Sequence, residues 1–254
     1  VSGVAIASII SQYISAALVL RLLLCSEESF ALRKENLHID RLILRRVLRI
    51  GIPSALQYAL FAVANLFVQT SVNYFDHVMV EGNSAAANAD PLVYDMMAAF
   101  YTACTSFIAQ NMGAKKRERI RKSYFICMVY SFGLGLFLGV GIYLLRYPFL
   151  SMFTSEKAVV HAGIRRLSVM ALSYCVSAFM DCTIAASRGL GRTIVPMFIV
   201  TAGSTVFRLL WIWTVFAHYR TIESLYLLYV FSWTITGIAE MIYFAKTMKA
   251  VRFS

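Results

Sequence analysis

Long, mostly apolar runs alternate with short polar ones along the whole chain. Seven runs, roughly 1–24, 50–74, 84–110, 123–146, 164–187, 193–217 and 224–246, are each long enough to cross the ~30 Å hydrocarbon layer as a helix. Lipid offers no hydrogen bonds to a bare backbone, so runs of this length must be helical. The pattern therefore predicts an all-α, polytopic transmembrane helix bundle of about seven spans, with no soluble domain and no low-complexity linker. The polar stretch "CSEESFALRKENLHIDRLILRRVLR" (25–49) is expected to lie on the membrane surface, in part as a short amphipathic helix. The opening run has no basic segment ahead of it and reaches spanning length, which separates it from a signal peptide. It also lacks an initiating Met, and it reads as a membrane helix entered partway through a longer protein.

Composition agrees with the pattern. Of the 254 residues, 59% are hydrophobic and only 15% charged, and the mean hydropathy is +0.68. A net charge of +11 would suggest a nucleic-acid partner on a soluble fold, but here the cations fall between spans, which argues against nucleic acid. The five cysteines lie in or beside apolar runs without metal-ligand spacing and read as small buried hydrophobes. The four histidines are scattered singly, so no metal site is expected, and no cofactor or catalytic group is legible.

Charge also gives an orientation. The connection at 25–49 carries six cations (Arg33, Lys34, Arg41, Arg45, Arg46, Arg49), that at 111–122 six, that at 188–192 two, and the tail three (Lys246, Lys249, Arg252). These seventeen alternate with five on the other side: Arg146, Lys157, Arg165, Arg166 and Arg220. The seventeen belong in the cytoplasm, where anionic lipid attracts them.

Polar groups inside spans are costly in lipid and usually face a bundle interior or a wet cavity. On 84–110, Ser84, Asn88, Asp95, Thr102 and Ser106 recur at helical spacing on one face, with Asp95 ~16 Å from the outer end. This makes Asp95 either a cleft carboxylate that exchanges a proton or attracts a cation, or an interhelical hydrogen-bonding residue. Asp181 shares a face with Tyr174, Ser177 and Arg188. Asn65 and Gln69 share a sector of their span with Gln57 and suit a cleft wall or a helix contact. Arg208 and Glu240 read as structural charges satisfied by snorkelling or a neighbour. Gly135 and Gly139 mark a close helix approach, and Pro53 and Pro91 mark helix starts or bends.

Four segments in order, "GIPSALQ" (51–57), "SAAANADPLVYDMMAAF" (84–100), "FIAQNMGAKKRER" (107–119) and "MDCTIAASRGLGRTIVP" (180–196), resemble the multidrug and toxic compound extrusion (MATE) transporters. The resemblance covers essentially the whole chain but half of the family's pattern of two six-helix lobes. It implies that 1–24 is the last helix of a first lobe, 25–49 a cytoplasmic inter-lobe linker and 50–254 the second lobe, with the first lobe a missing partner. Gln110, Asn111, Gly113, Arg188 and Gly189 match its structural motifs. A cation-binding carboxylate is implied on the helix of Asp181, although here only seven residues separate it from the Arg-Gly pair, fewer than in the family. In one large branch the proton-coupling Asp lies in the first lobe, outside this sequence.

The resemblance implies an exporter of amphipathic, often cationic organic molecules, driven by transported H⁺ or Na⁺, in a bacterial inner membrane. Small organic substrates and membrane lipids are its expected partners. The alternatives are a flippase for lipids or lipid-linked oligosaccharides, which would need more cleft cations than Arg208, and a non-transporting structural protein. A prenyl or phosphoryl transferase is disfavoured because no paired acidic motif for Mg²⁺ is present.

Overall fold

A computed structural model describes residues 2–26, 31–33, 35 and 38–250. Lys34 and Arg252, counted above among the basic connections, lie outside the described residues, as does Val1. Among the described residues the structure has seven helices long and apolar enough to cross a membrane. The chain divides into two compact units, residues 1–48 and 49–254.

The first unit holds α1 (Ser2–Cys25) and the opening turns of α2 (Arg41–Val72). Asp40 starts α2: its Oδ1 accepts from the N–H groups of Leu42 at 2.7 Å and Ile43 at 3.0 Å, a side-chain cap for first-turn donors. The surface helix expected within 25–49 is instead the first part of this long helix. Pro53 accordingly sits inside α2 rather than at its start. Cys25 is exposed, unlike the other four cysteines, which are buried.

The second unit continues with α3 (His77–Ala87), α4 (Ala89–Gly113), α5 (Arg117–Leu144), α6 (Arg146–Ser151) and α7 (Lys157–Gly189), and then α8 (Ile194–Tyr219) and α9 (Ile222–Ala250). The span expected at 84–110 is in fact α3 plus α4, broken at Asn88, whose Nδ2 donates to the carbonyls of Ser84 and Ala85. That side chain competes with the backbone for helix acceptors. Pro91 falls in the first turn of α4, where its missing N–H costs nothing. α7 begins at Lys157, seven residues earlier than expected from 164, so Arg165 and Arg166, counted above with the connection at the edge of the span, lie about two turns inside the helix.

α7 is the centre of the unit: apart from an exposed stripe at His161, Arg165, Ser168 and Leu172, its residues from Val159 to Gly189 are buried or half-buried. A helix covered on most sides belongs in a core. Small residues let its neighbours approach. A β-carbon added at Gly139 of α5 would overlap the carbonyl oxygen of Ala171, and one at Gly82 of α3 would lie 2.6 Å from the carbonyl oxygen of Val159.

α8 is irregular in two places, Thr201–Val206 and Ile212–Phe216, where the backbone widens into π-helical turns. Its neighbour supplies partners: Ser232 Oγ of α9 donates to the carbonyl of Gly203 at 3.1 Å and also meets Ser204 Oγ at 3.3 Å.

Candidate functional site

Two adjacent cavities lie in the second unit. The first, 450 Å³, is walled by α2, α3, α4, α7 and α9 and includes Asn65, Gln69, Asn83, Asp90, Tyr94, Arg166, Asp181, Tyr226, Tyr229 and Trp233. The second, 330 Å³, includes Gln57, Tyr58, Thr102, Thr105, Ser106 and Arg188. Phe61, Tyr101, Met180 and Asp181 border both, so Asp181 stands at their junction.

The first cavity is built on a buried ion pair. Arg166, only 5% exposed, donates from Nη2 to Asp90 Oδ2 at 2.5 Å and from Nη1 to the carbonyl of Asn83 at 2.9 Å. The other carboxylate oxygen of Asp90 accepts from the Tyr174 hydroxyl at 2.6 Å. Tyr226 donates to Asn83 Oδ1, and its ring lies 5.2 Å from the Arg166 guanidinium carbon. Four helices, α3, α4, α7 and α9, are thereby tied together, and the bonds to the carboxylate are charge-assisted and strong.

Arg208, fully buried on α8, donates from Nη1 to Asn65 Oδ1 at 2.7 Å and lies between the rings of Phe61 and Tyr229, 4.4 and 4.5 Å from their centroids. One hydrogen bond and the two ring faces hold it in the bundle interior, while its Nε and Nη2 are buried without a hydrogen-bond partner among the described residues. Tyr94 packs edge-on to Tyr174 and to Trp233, and Tyr229 tilts against Trp233 at 5.4 Å. These faces make an aromatic wall that takes either apolar bodies or cations. Asp181 shares the second cavity with Arg188 and lies within electrostatic range of Arg208, which borders neither cavity. A carboxylate so placed can hold a proton or a cation while an organic molecule occupies the aromatic wall.

Of the residues singled out from sequence, Asp181, Asn65 and Gln69 border the first cavity and Thr102 the second. Tyr174 stands behind the wall as the partner of Asp90. Asp95 is exposed on α4 and borders neither cavity, and Asn88 is exposed at the helix break. Arg188 holds the far mouth, donating to Tyr58 Oη at 2.9 Å and Gln57 Oε1 at 3.2 Å. Gly189 lies against Thr105 of α4, while Gly191, at φ 70°, makes the turn after it. Asn111 donates to the carbonyl of Phe107 at 2.7 Å, and the turn after Gln110 and Gly113 takes its left-handed residue at Lys115, not at Gly113.

Asp90 and Arg166 were missed by the sequence reading, and Arg208 is not the sole cation deep in a span. The legible signal was the stripe Arg166, Met170, Tyr174, Ser177 and Asp181, whose helical spacing places all five on one face.

The fold and this passage define a polytopic membrane protein organised around a polar, aromatic cavity. A family model described as MatE matches residues 53–214, and the chain belongs to that family. It is 23% identical over 203 residues to a probable multidrug resistance protein NorM from Thermotoga maritima, covering 78% of this chain and 43% of that protein. In fold it is similar to a mutant of the Vibrio cholerae MATE transporter VcmN (TM-score 0.85, 21% identity, 99% of this chain and 57% of that one). It is likewise similar to a MOP superfamily transporter from Pyrococcus furiosus (TM-score 0.87, 18% identity, 98% and 56%). The chain thus spans about half the length of the relatives it matches.

Proposed function

We propose that this chain forms one lobe of an ion-coupled secondary transporter that exports amphipathic, often cationic organic molecules across a bacterial inner membrane. A second lobe of the same longer protein would complete the cleft, and the basic connections would face the cytoplasm. The observation that carries this reading is the position of Asp181 at the junction of two cavities with aromatic walls. Binding H⁺ or Na⁺ there changes the charge seen by a cationic substrate in the same passage, which is the competition an antiporter requires. Asp95 is the second candidate. Its exposed face on α4, shared with Thr102 and Ser106, suits a cleft surface completed by the other lobe. Arg166 does not favour a phosphate-bearing lipid substrate, because Asp90 already neutralises it.

The test is efflux of a fluorescent organic cation from vesicles holding the protein together with its flanking coding sequence, under imposed proton or sodium gradients. Gradient-driven efflux lost in Asp181→Asn but kept in Asp95→Asn is expected. The converse moves the coupling site to Asp95. Efflux that survives both substitutions removes this lobe from ion coupling, and no efflux from folded protein overturns the transporter reading.

A further inference from the structure

The basic run at 115–122 meets a second feature that transport leaves unused. A 710 Å³ groove opens between the start of α5 and the end of α9, separate from the passage. One end is cationic, with Arg121 and Lys122 from α5 and Lys249 from α9, while the rest is apolar, floored by Phe125, Met241 and Ala245. The two helices are fixed side by side here. Arg117 donates to the carbonyl of Met248 at 3.0 Å, and the rings of Tyr124 and Phe244 lie 4.6 Å apart.

Polarity along the groove is the informative point. From Lys249 to Met241 is eight residues of helix, ~12 Å along the axis, and over that length the lining passes from cations to bare apolar side chains. Phe125 is 67% exposed and lines it, so the apolar part of the groove is open. Arg121 approaches Glu118 at 4.0 Å, but both are highly exposed, so this pair leaves the end of the groove strongly positive. A ligand that fits carries negative charge at one end and hydrocarbon at the other.

We infer that this groove is a specific site for an acidic phospholipid, with the headgroup phosphate between Arg121, Lys122 and Lys249 and an acyl chain along Phe125, Met241 and Ala245. General attraction of a basic surface to an anionic membrane needs no groove. A built site discriminates by shape as well as charge.

The experiment is native mass spectrometry of the protein with its flanking coding sequence, released from nanodiscs of phosphatidylglycerol or phosphatidylcholine. The number of retained lipids is read in each. Retained phosphatidylglycerol is expected to fall about tenfold in the Arg121→Gln, Lys122→Gln, Lys249→Gln triple variant. The groove-filling variant Ala245→Trp should lower it similarly, with Met241→Trp as a second filler should the first fold poorly. The triple Arg41→Gln, Arg45→Gln, Arg46→Gln removes as much charge away from the groove and should leave retention unchanged. Millimolar inorganic phosphate should not displace the lipid. Equal retention of phosphatidylcholine, an equal loss in the α2 triple, full retention in both fillers or displacement by phosphate would each overturn the proposal.

Discussion

Removing the Asp90 charge tests whether the buried pair holds the passage together. In Asp90→Asn the amide keeps one acceptor oxygen where two were used, by Arg166 at 2.5 Å and Tyr174 at 2.6 Å, and turns an N–H₂ towards a donor. Arg166 is left 5% exposed with its charge uncompensated. Breaking such a pair from one side costs ~3–5 kcal/mol when both ions are fully buried. The side chain of Asp90 is 29% exposed, so water recovers part of that, and about 2–4 kcal/mol is the working value. Arg166→Met leaves Asp90 reachable by water and still bonded to Tyr174, a loss of ~1–2 kcal/mol. The double variant removes both charges and should cost no more than Asp90→Asn alone, giving a coupling of at least ~1–2 kcal/mol. Reversible unfolding in mixed micelles, followed by the fluorescence of Trp233 beside Tyr94, measures all three. Single losses that add to within ~0.5 kcal/mol would refute the reasoning, since independent residues behave that way.

Gly139→Ala should destabilise the protein by ~1–3 kcal/mol or more, because the new methyl meets the backbone of Ala171 rather than a side chain that can turn aside. Gly141→Ala, on the same helix with open space around it, should be neutral or stabilising by ~0.5–1 kcal/mol. The two belong in one unfolding series. Glu240 is fully buried, and neither carboxylate oxygen has a hydrogen-bond partner among the described residues. The isosteric Glu240→Gln should therefore leave the melting temperature unchanged or raise it. A fall equivalent to more than ~2 kcal/mol would show that the carboxylate is engaged.

The membrane helices were readable because lipid imposes a length and an apolar requirement that local composition displays directly. What composition does not display is where a helix gains turns beyond its apolar run. The turns before 164 fell outside the apolar run, and Arg165 and Arg166 at its edge counted as connection cations, yet each is paired from a distant segment. Arg165 pairs with Glu223 at 2.6 Å and Arg166 with Asp90. Those partners lie 58 and 76 residues away, beyond the reach of any periodicity. The same holds for Arg208: its cation is legible, but the cage formed by Phe61, Asn65 and Tyr229 exists only after α2, α8 and α9 meet. Asn88 carried a local signal for the helix break, in an amide able to bond its own preceding turn, and that signal was read as part of a polar face instead.

The π-helical turns of α8 divide the mechanical work of the bundle. α7 touches its neighbours backbone to backbone at Gly139 and Gly82, so it cannot slide without breaking contacts on several sides, and it acts as the stator. At Thr201–Val206 and Ile212–Phe216, by contrast, the wide turns can tighten by a residue and rotate the C-terminal end of the helix, and Arg208 lies between them. The expected consequence is that α8 yields to torsion before α7 does, with Arg208 between its two wide turns. Amide hydrogens of Thr201–Val206 should accordingly exchange faster than those of Ala171–Ala178 on the rigid axle beside them.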